Sequence, residues 1–151
     1  MTLDQVSIDR INQLHPKIRE EVSMKYAEAQ AVMPPGVIIR IVQGLRTFPE
    51  QHALFIQRPQ VTKADAGQSY HNYGLAIDFC FLINGQLSWN VDSNWHTVVN
   101  IFKAAGYTWG GDWMQFKDLP HLEKTFGYNW RDLLKKYNSG DFISGTNYVN
   151  L

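Results

Sequence analysis

A single cysteine, Cys80, among 151 residues allows no internal disulfide and is too few for a thiolate zinc knuckle. No apolar run approaches the roughly 18 residues of a membrane span. Charge of one sign is missing as well. Fourteen basic side chains balance fourteen acidic ones, so no basic field gathers nucleic acid or anionic lipid, and neither is expected as a partner. The opening stretch MTLDQVSIDR lacks the basic-then-apolar order of a secretory leader. Internal repeats, charge blocks and low-complexity tracts are absent. What is present is 44% hydrophobic, 13% aromatic and 19% charged, which excludes a disordered chain. A unit of about 150 residues buries roughly 68–70% of its unfolded surface, so one domain over 1–151 is expected to build a core without staples.

Punctuation along the chain organises this domain. Ser7 is positioned to cap a short helix carrying Ile8, Ile11 and Leu14. His15-Pro16 opens a second, because proline is tolerated in a first turn. Its apolar positions Ile18, Val22, Tyr26, Ala29 and Met33 recur at helical spacing until Pro34-Pro35-Gly36 stops it. Residues 37–42 are β-branched apart from Arg40 and predict a strand. Thr47 and Glu50 have the spacing of a capping box, with a short helix expected to about Gln57. Residues 58–70 predict an exposed loop. Residues 76–83 predict a strand ended by Asn84-Gly85, a strong hairpin signal. Trp95, Val98, Val99, Phe102 and Ala105 mark an amphipathic helix capped by Asp92 and closed by Gly106. Short strands follow at 107–109 and 121–124, then a last helix from about Trp130 to Tyr137 and a polar, turn-rich tail. Helices early and short strands between 76 and 124 predict an α+β fold, with helices packed on one face of a small antiparallel sheet.

Five histidines are available: His15, His52, His71, His96 and His121. A catalytic zinc site needs three nitrogen or oxygen ligands and an open position, so two histidines and a carboxylate suffice. Asp78 lies inside the apolar run 75–81, where an acid is costly unless paired or bound to a cation. An arginine partner and a metal are both open readings for it. Its strand face carries Ala76, Cys80 and Leu82, opposite Ile77, Phe79, Phe81 and Ile83. His71 stands just before that strand. Pro120 argues against a helix around His121, so Asp118 and His121 belong to an extended or turn segment. Glu123 shares a strand face with His121 and is a rival ligand. His15, next to a helix proline, His52, on a surface helix, and His96, on the polar side of an amphipathic one, have plainer roles. Cys80 is read as a small core residue.

The segments GLRTFPEQ (44–51), SYHNYGLAID (69–78), GGDW (110–113) and DLPH (118–121) occur in an order that resembles the LAS-type, VanY-like zinc peptidases. Within that group they are most similar to L-alanyl-D-glutamate endopeptidases, which include phage endolysins and bacterial cell-wall hydrolases. The resemblance runs from about Leu14 to Gly127 and leaves a C-terminal helix and tail over 128–151. It implies a fold like that of hedgehog signalling domains and D-alanyl-D-alanine peptidases. It implies a zinc ion held by His71, Asp78 and His121, with Asp118 as general base and Arg46 facing the scissile carbonyl. Ser69 matches a motif serine near the substrate, and Tyr73 and Trp113, together with Tyr70 and Trp109, are candidate groove aromatics.

The implied substrate is a peptidoglycan stem peptide, cut between L-alanine and D-glutamate by a monomer acting at the bacterial wall. The absence of a visible leader suits a phage endolysin released from the host cytoplasm, or an enzyme whose leader has been removed. Two alternatives stay open. Relatives with the same metal site act as D-alanyl-D-alanine carboxypeptidases or dipeptidases, though these commonly place glutamate three residues before the last histidine, where this chain has Asp118. A zinc-containing domain that binds peptides without cutting them is the other.

Overall fold

A computed structural model describes residues 3–151, so the first two residues of the N-terminal stretch lie outside the described residues. The chain order is α1 (Gln5–Ile11), α2 (Pro16–Ala31), β1 (Val37–Gln43), α3 (Phe48–Phe55), β2 (Ala76–Ile83), β3 (Gln86–Ser88), α4 (Ser93–Ala104), β4 (Thr108–Trp109), β5 (His121–Glu123) and α5 (Trp130–Asn138). Short 3-10 turns cover Tyr70–Tyr73 and Gly110–Asp112. The fold is α+β, and every strand pairing is antiparallel. No helix of the described residues is long and apolar enough to cross a membrane.

β2 is the centre of the sheet. β1 pairs along one edge, and β3 and β5 share the other, with β4 beyond β5. Asn84 and Gly85 both take positive φ, as the predicted hairpin turn requires. Ile77, Phe79 and Phe81 pack into the core, where both phenylalanines meet the fully buried Trp95 of α4 at ring distances of 4.5 and 5.7 Å. Full burial of such side chains contributes about 1.5–3 kcal/mol each.

The free edge of β1 is covered by side chains of the first two helices. Ser7 Oγ accepts from the Ile41 amide and Gln30 Oε1 from the Ile39 amide, both at 2.8 Å. Tyr26 donates to the Ile39 carbonyl, Gln30 to that of Val37 and Arg10 to that of Ile41. An exposed edge is a template for aggregation, and here helix side chains occupy it. This explains why Ser7 is not the cap of α1. The cap is Asp4, whose carboxylate accepts from the Ser7 amide, while the Ser7 hydroxyl is drawn inward to the sheet edge.

Thr47 and Glu50 form the predicted capping box of α3, which ends at Phe55, short of Gln57. The C-terminal tail folds back onto the domain. His15 Nδ1 accepts from the Lys17 amide as the cap of α2, and its Nε2 donates to the Val149 carbonyl at 2.7 Å, with Val149 itself buried.

Candidate active site

Asp78 and His121 are direct partners across the β2–β5 ladder, so their side chains leave the sheet on the same face. His71 reaches that face from the 3-10 turn preceding β2. Ser69 caps this turn through its hydroxyl, and Gly74 closes it at φ +70°. A Cβ at Gly74 would stand 2.5 Å from the His15 amide nitrogen, so only glycine permits this approach of the turn to α2.

The three ligand atoms lie within 4.8 Å of one another. Asp78 Oδ1 is 3.2 Å from His71 Nε2 and 3.0 Å from His121 Nδ1. Donors on a tetrahedral zinc with bonds of 2.0–2.2 Å are about 3.3 Å apart. The outer nitrogens are already spoken for. His71 Nδ1 donates to the Gly44 carbonyl at 2.9 Å, and His121 Nε2 donates to Glu123 Oε1 at 2.7 Å. With a cation bound, each imidazole would keep its proton on the far side and turn a lone pair toward the ion, the pattern of histidines that hold a metal. This donor set fits zinc. Glu123 is thus corrected from rival ligand to the group that orients His121.

Electrostatics follow from this crowding. Burial alone raises the carboxyl pKa of Asp78, but hydrogen bonds and charge from His121 and His71 outweigh it and hold Asp78 well below the usual carboxylate range. For His121, burial opposes protonation, yet Asp78 and Glu123 together push its pKa up to about 9. A proton and a cation compete for the same point between these groups. Asp118 sits 3.9 Å from His121 Nδ1 through Oδ2. Burial and the Asp78 charge raise its pKa, against the pull of His121, His71 and Arg46.

The segment from Asp118 to His121 is anchored from outside the site. The indole nitrogens of Trp109 and Trp95 both donate to the Leu119 carbonyl, at 2.7 and 3.1 Å. The Asp118 amide donates to the Gly110 carbonyl, and a Cβ at Gly110 would stand 2.3 Å from the Asp118 carbonyl oxygen. Trp109 is a core residue for this reason, with no groove contact.

Arg46 enters the same cavity, of about 520 Å³, from the loop before α3. Its Nη1 donates to Gln51 Oε1 at 2.8 Å, and the fully buried Gln51 donates in turn to the Ala64 carbonyl. Its Nε is buried with no partner among the described residues. Burial lowers the guanidinium pKa against the charges of Asp78, Glu50 and Asp118, and arginine remains a cation at any working pH.

Of the expected substrate contacts, Ser69, Trp113 and Tyr70 line the cavity. The Trp113 ring lies 5.4 Å from that of His121. Tyr73 does not reach the cavity: its ring is buried and its hydroxyl donates to the Gly67 carbonyl, so the expected contact is corrected to a core role. Sequence reasoning missed Gln51, the Gly44 carbonyl and the two indole anchors. Only Glu123 had left a signal, its shared strand face with His121.

Known proteins resemble this chain in sequence and in fold. Residues 62–124 match a peptidase M15 family model described as D-alanyl-D-alanine carboxypeptidase. The chain is 41% identical over 125 residues to the peptidoglycan L-alanyl-D-glutamate endopeptidase CwlK of Bacillus subtilis, covering 73% of this chain and 72% of that protein. It is 30% identical over 117 residues to an L-alanyl-D-glutamate peptidase of Listeria phage A118, covering 76% of this chain and 37% of the phage protein. The fold is similar to the crystal structure of the Serratia marcescens L-Ala D-Glu endopeptidase ChiX, with a TM-score of 0.61 and 25% identity over 84% of this chain and 89% of that one. The chain belongs to the peptidase M15 family, alongside its L-alanyl-D-glutamate endopeptidases.

Proposed function

We propose that this protein is a zinc endopeptidase that hydrolyses the L-alanyl-D-glutamate bond of peptidoglycan stem peptides, acting on the bacterial cell wall. The observation that carries the metal assignment is the convergence of His71 Nε2, Asp78 Oδ1 and His121 Nδ1, with both remaining imidazole nitrogens already donating elsewhere. The choice of bond rests on the similarity to CwlK over most of both chains.

Zinc bound by these three residues would supply the Lewis acidity that makes a water nucleophilic near neutral pH. Asp118, its pKa raised by burial and by Asp78, is the group that accepts a proton from the attacking water and delivers it to the departing D-glutamyl nitrogen. Arg46, held by Gln51, faces the L-alanyl carbonyl oxygen as negative charge gathers there. Water adds to the carbonyl carbon, the carbon–nitrogen bond breaks, and a carboxylate and an amine leave.

The test is product analysis on a defined muropeptide, with metal content measured on the same preparation. The expected outcome is a new D-glutamate amino terminus, one zinc per chain, and loss of turnover on chelation. Free D-alanine as the product would replace this reading with the carboxypeptidase one. Zinc-loaded protein that cuts no bond would replace it with a peptide-binding domain.

A further inference from the structure

Asp118 lines two cavities. One is the site described above. The other, of about 650 Å³, continues past Asp118 between residues 60–64 and 113–118, sharing Val61, Thr62, Ala64 and Trp113 with the first. The two differ in charge. The first holds Asp78, Asp118 and Glu123, with Arg46 the cation opposite them. In the second, the charged side chains besides Asp118 are Lys63 and Lys117. Lys117 Nζ donates to the Gly111 carbonyl at 3.2 Å, which leaves the rest of its ammonium for a ligand. Lys63 Nζ lies 3.9 Å from the centroid of the exposed Phe116 ring, across the cavity from its own segment. Among the described residues, neither ammonium is paired with a carboxylate.

This polarity gives the substrate a direction. The proton that Asp118 delivers goes to the leaving nitrogen, so the residue owning that nitrogen lies at the Asp118 end of the site. A D-glutamyl residue has two carboxyl groups and uses one to continue the chain. The other stands as a free anion close behind the leaving nitrogen. We propose that the second cavity receives the departing, D-glutamyl half of the stem peptide, and that Lys63 and Lys117 recognise its free carboxylate. The proposal rests on the endopeptidase reading and adds the determinant of its leaving-group specificity. Long-stemmed ammoniums at a cavity mouth suit this task, because they reach an anion without being desolvated and attract it before contact.

The experiment uses the zinc-loaded full chain and two synthetic stem peptides. They differ only in whether the D-glutamyl residue keeps its free carboxylate or carries a carboxamide there. The wild-type protein is expected to show the lower KM on the free acid, with the preference fading as salt rises. The double variant Lys63→Met, Lys117→Met is expected to raise KM for the acid about three- to tenfold, as two exposed ion pairs allow, with kcat and the carboxamide peptide little changed. Both positions are exposed, and an unchanged melting temperature checks the fold. Cleavage of both peptides with no discrimination, or an equal loss on both in the variant, overturns the proposal and leaves the endopeptidase reading standing. Cleavage of neither peptide by the wild type overturns both.

Discussion

Glu123 Oε1 lies 2.7 Å from His121 Nε2, so a buried carboxylate holds the imidazole proton on the side away from Asp78. Such partners fix the tautomer and orientation of a metal-binding histidine, and their loss typically costs about 10–100-fold in affinity. Glu123→Ala is therefore expected to weaken zinc binding by about that factor, measured by competition with a chromophoric chelator. Glu123→Gln, which can still accept from the imidazole through its amide oxygen, should lose less.

Zinc removal should be visible in stability as well as in activity. A ligand that binds only the folded state adds roughly 4 kcal/mol when present at 1,000 times its Kd. Calorimetry with and without chelator is expected to show a fall of several degrees in Tm, reversed by added zinc. In Asp78→Ala the melting temperature should no longer respond to zinc. An unaltered response in that variant would remove Asp78 from the ligand set.

Asp118→Asn keeps the shape of the side chain and removes its basicity. General acid–base assistance contributes about 10²–10⁴-fold, so kcat is expected to fall by that factor while zinc content stays the same. Full turnover in this variant would show that the proton is carried by another group.

Gly110→Ala tests how the Asp118 loop is held. The added Cβ would stand 2.3 Å from the Asp118 carbonyl oxygen, so the loop must move. The His121 amide donates to that same carbonyl, and both functional side chains shift together. At least about tenfold loss of kcat/KM is expected, since misplacement by an ångström can cost about 100-fold.

His15 ties stability to pH away from the candidate metal site. Burial, aided by Lys17 and Arg19, lowers its pKa below the ordinary 6.5 against the raising effect of the Val149 carbonyl. The unfolded chain therefore binds the proton more readily. The stability that neutral His15 contributes is complete above pH 6.5 and is lost as pH falls through the lowered folded-state pKa. Protonation at Nδ1 would also end its acceptance from the Lys17 amide. Urea melts between pH 7.5 and about 5 should show a steeper decline for the wild type than for His15→Asn, which can still cap α2. Parallel curves would rule out this linkage.

Local chemistry made most of the fold legible. Thr47-x-x-Glu50, Asn84-Gly85 and Asp92 each act within a few residues of themselves, and each capped or turned the chain as read. Ser7 misled because its hydroxyl had two possible partners, its own helix terminus and the amide of Ile41. The second lies 34 residues away and is invisible to local patterning. Tyr73 misled in a similar way. A tyrosine beside a metal motif serves a groove or a core equally well, and the Gly67 carbonyl decided for the core.

The sequence nominated the candidate side chains, Asp78 by its place in an apolar strand and the rest of the set through the family resemblance. His71 and Asp78 flank the start of one strand, Asp118 and His121 share one turn, and an acid inside an apolar strand must find a partner. The sequence could not assign a nitrogen to each imidazole. That choice belongs to the Gly44 carbonyl for His71 and to the Glu123 carboxylate for His121, groups brought into reach by the packing of β1 and by the register of β5. The direction of a lone pair depends on where its proton is held, and in this protein only the tertiary contacts hold it.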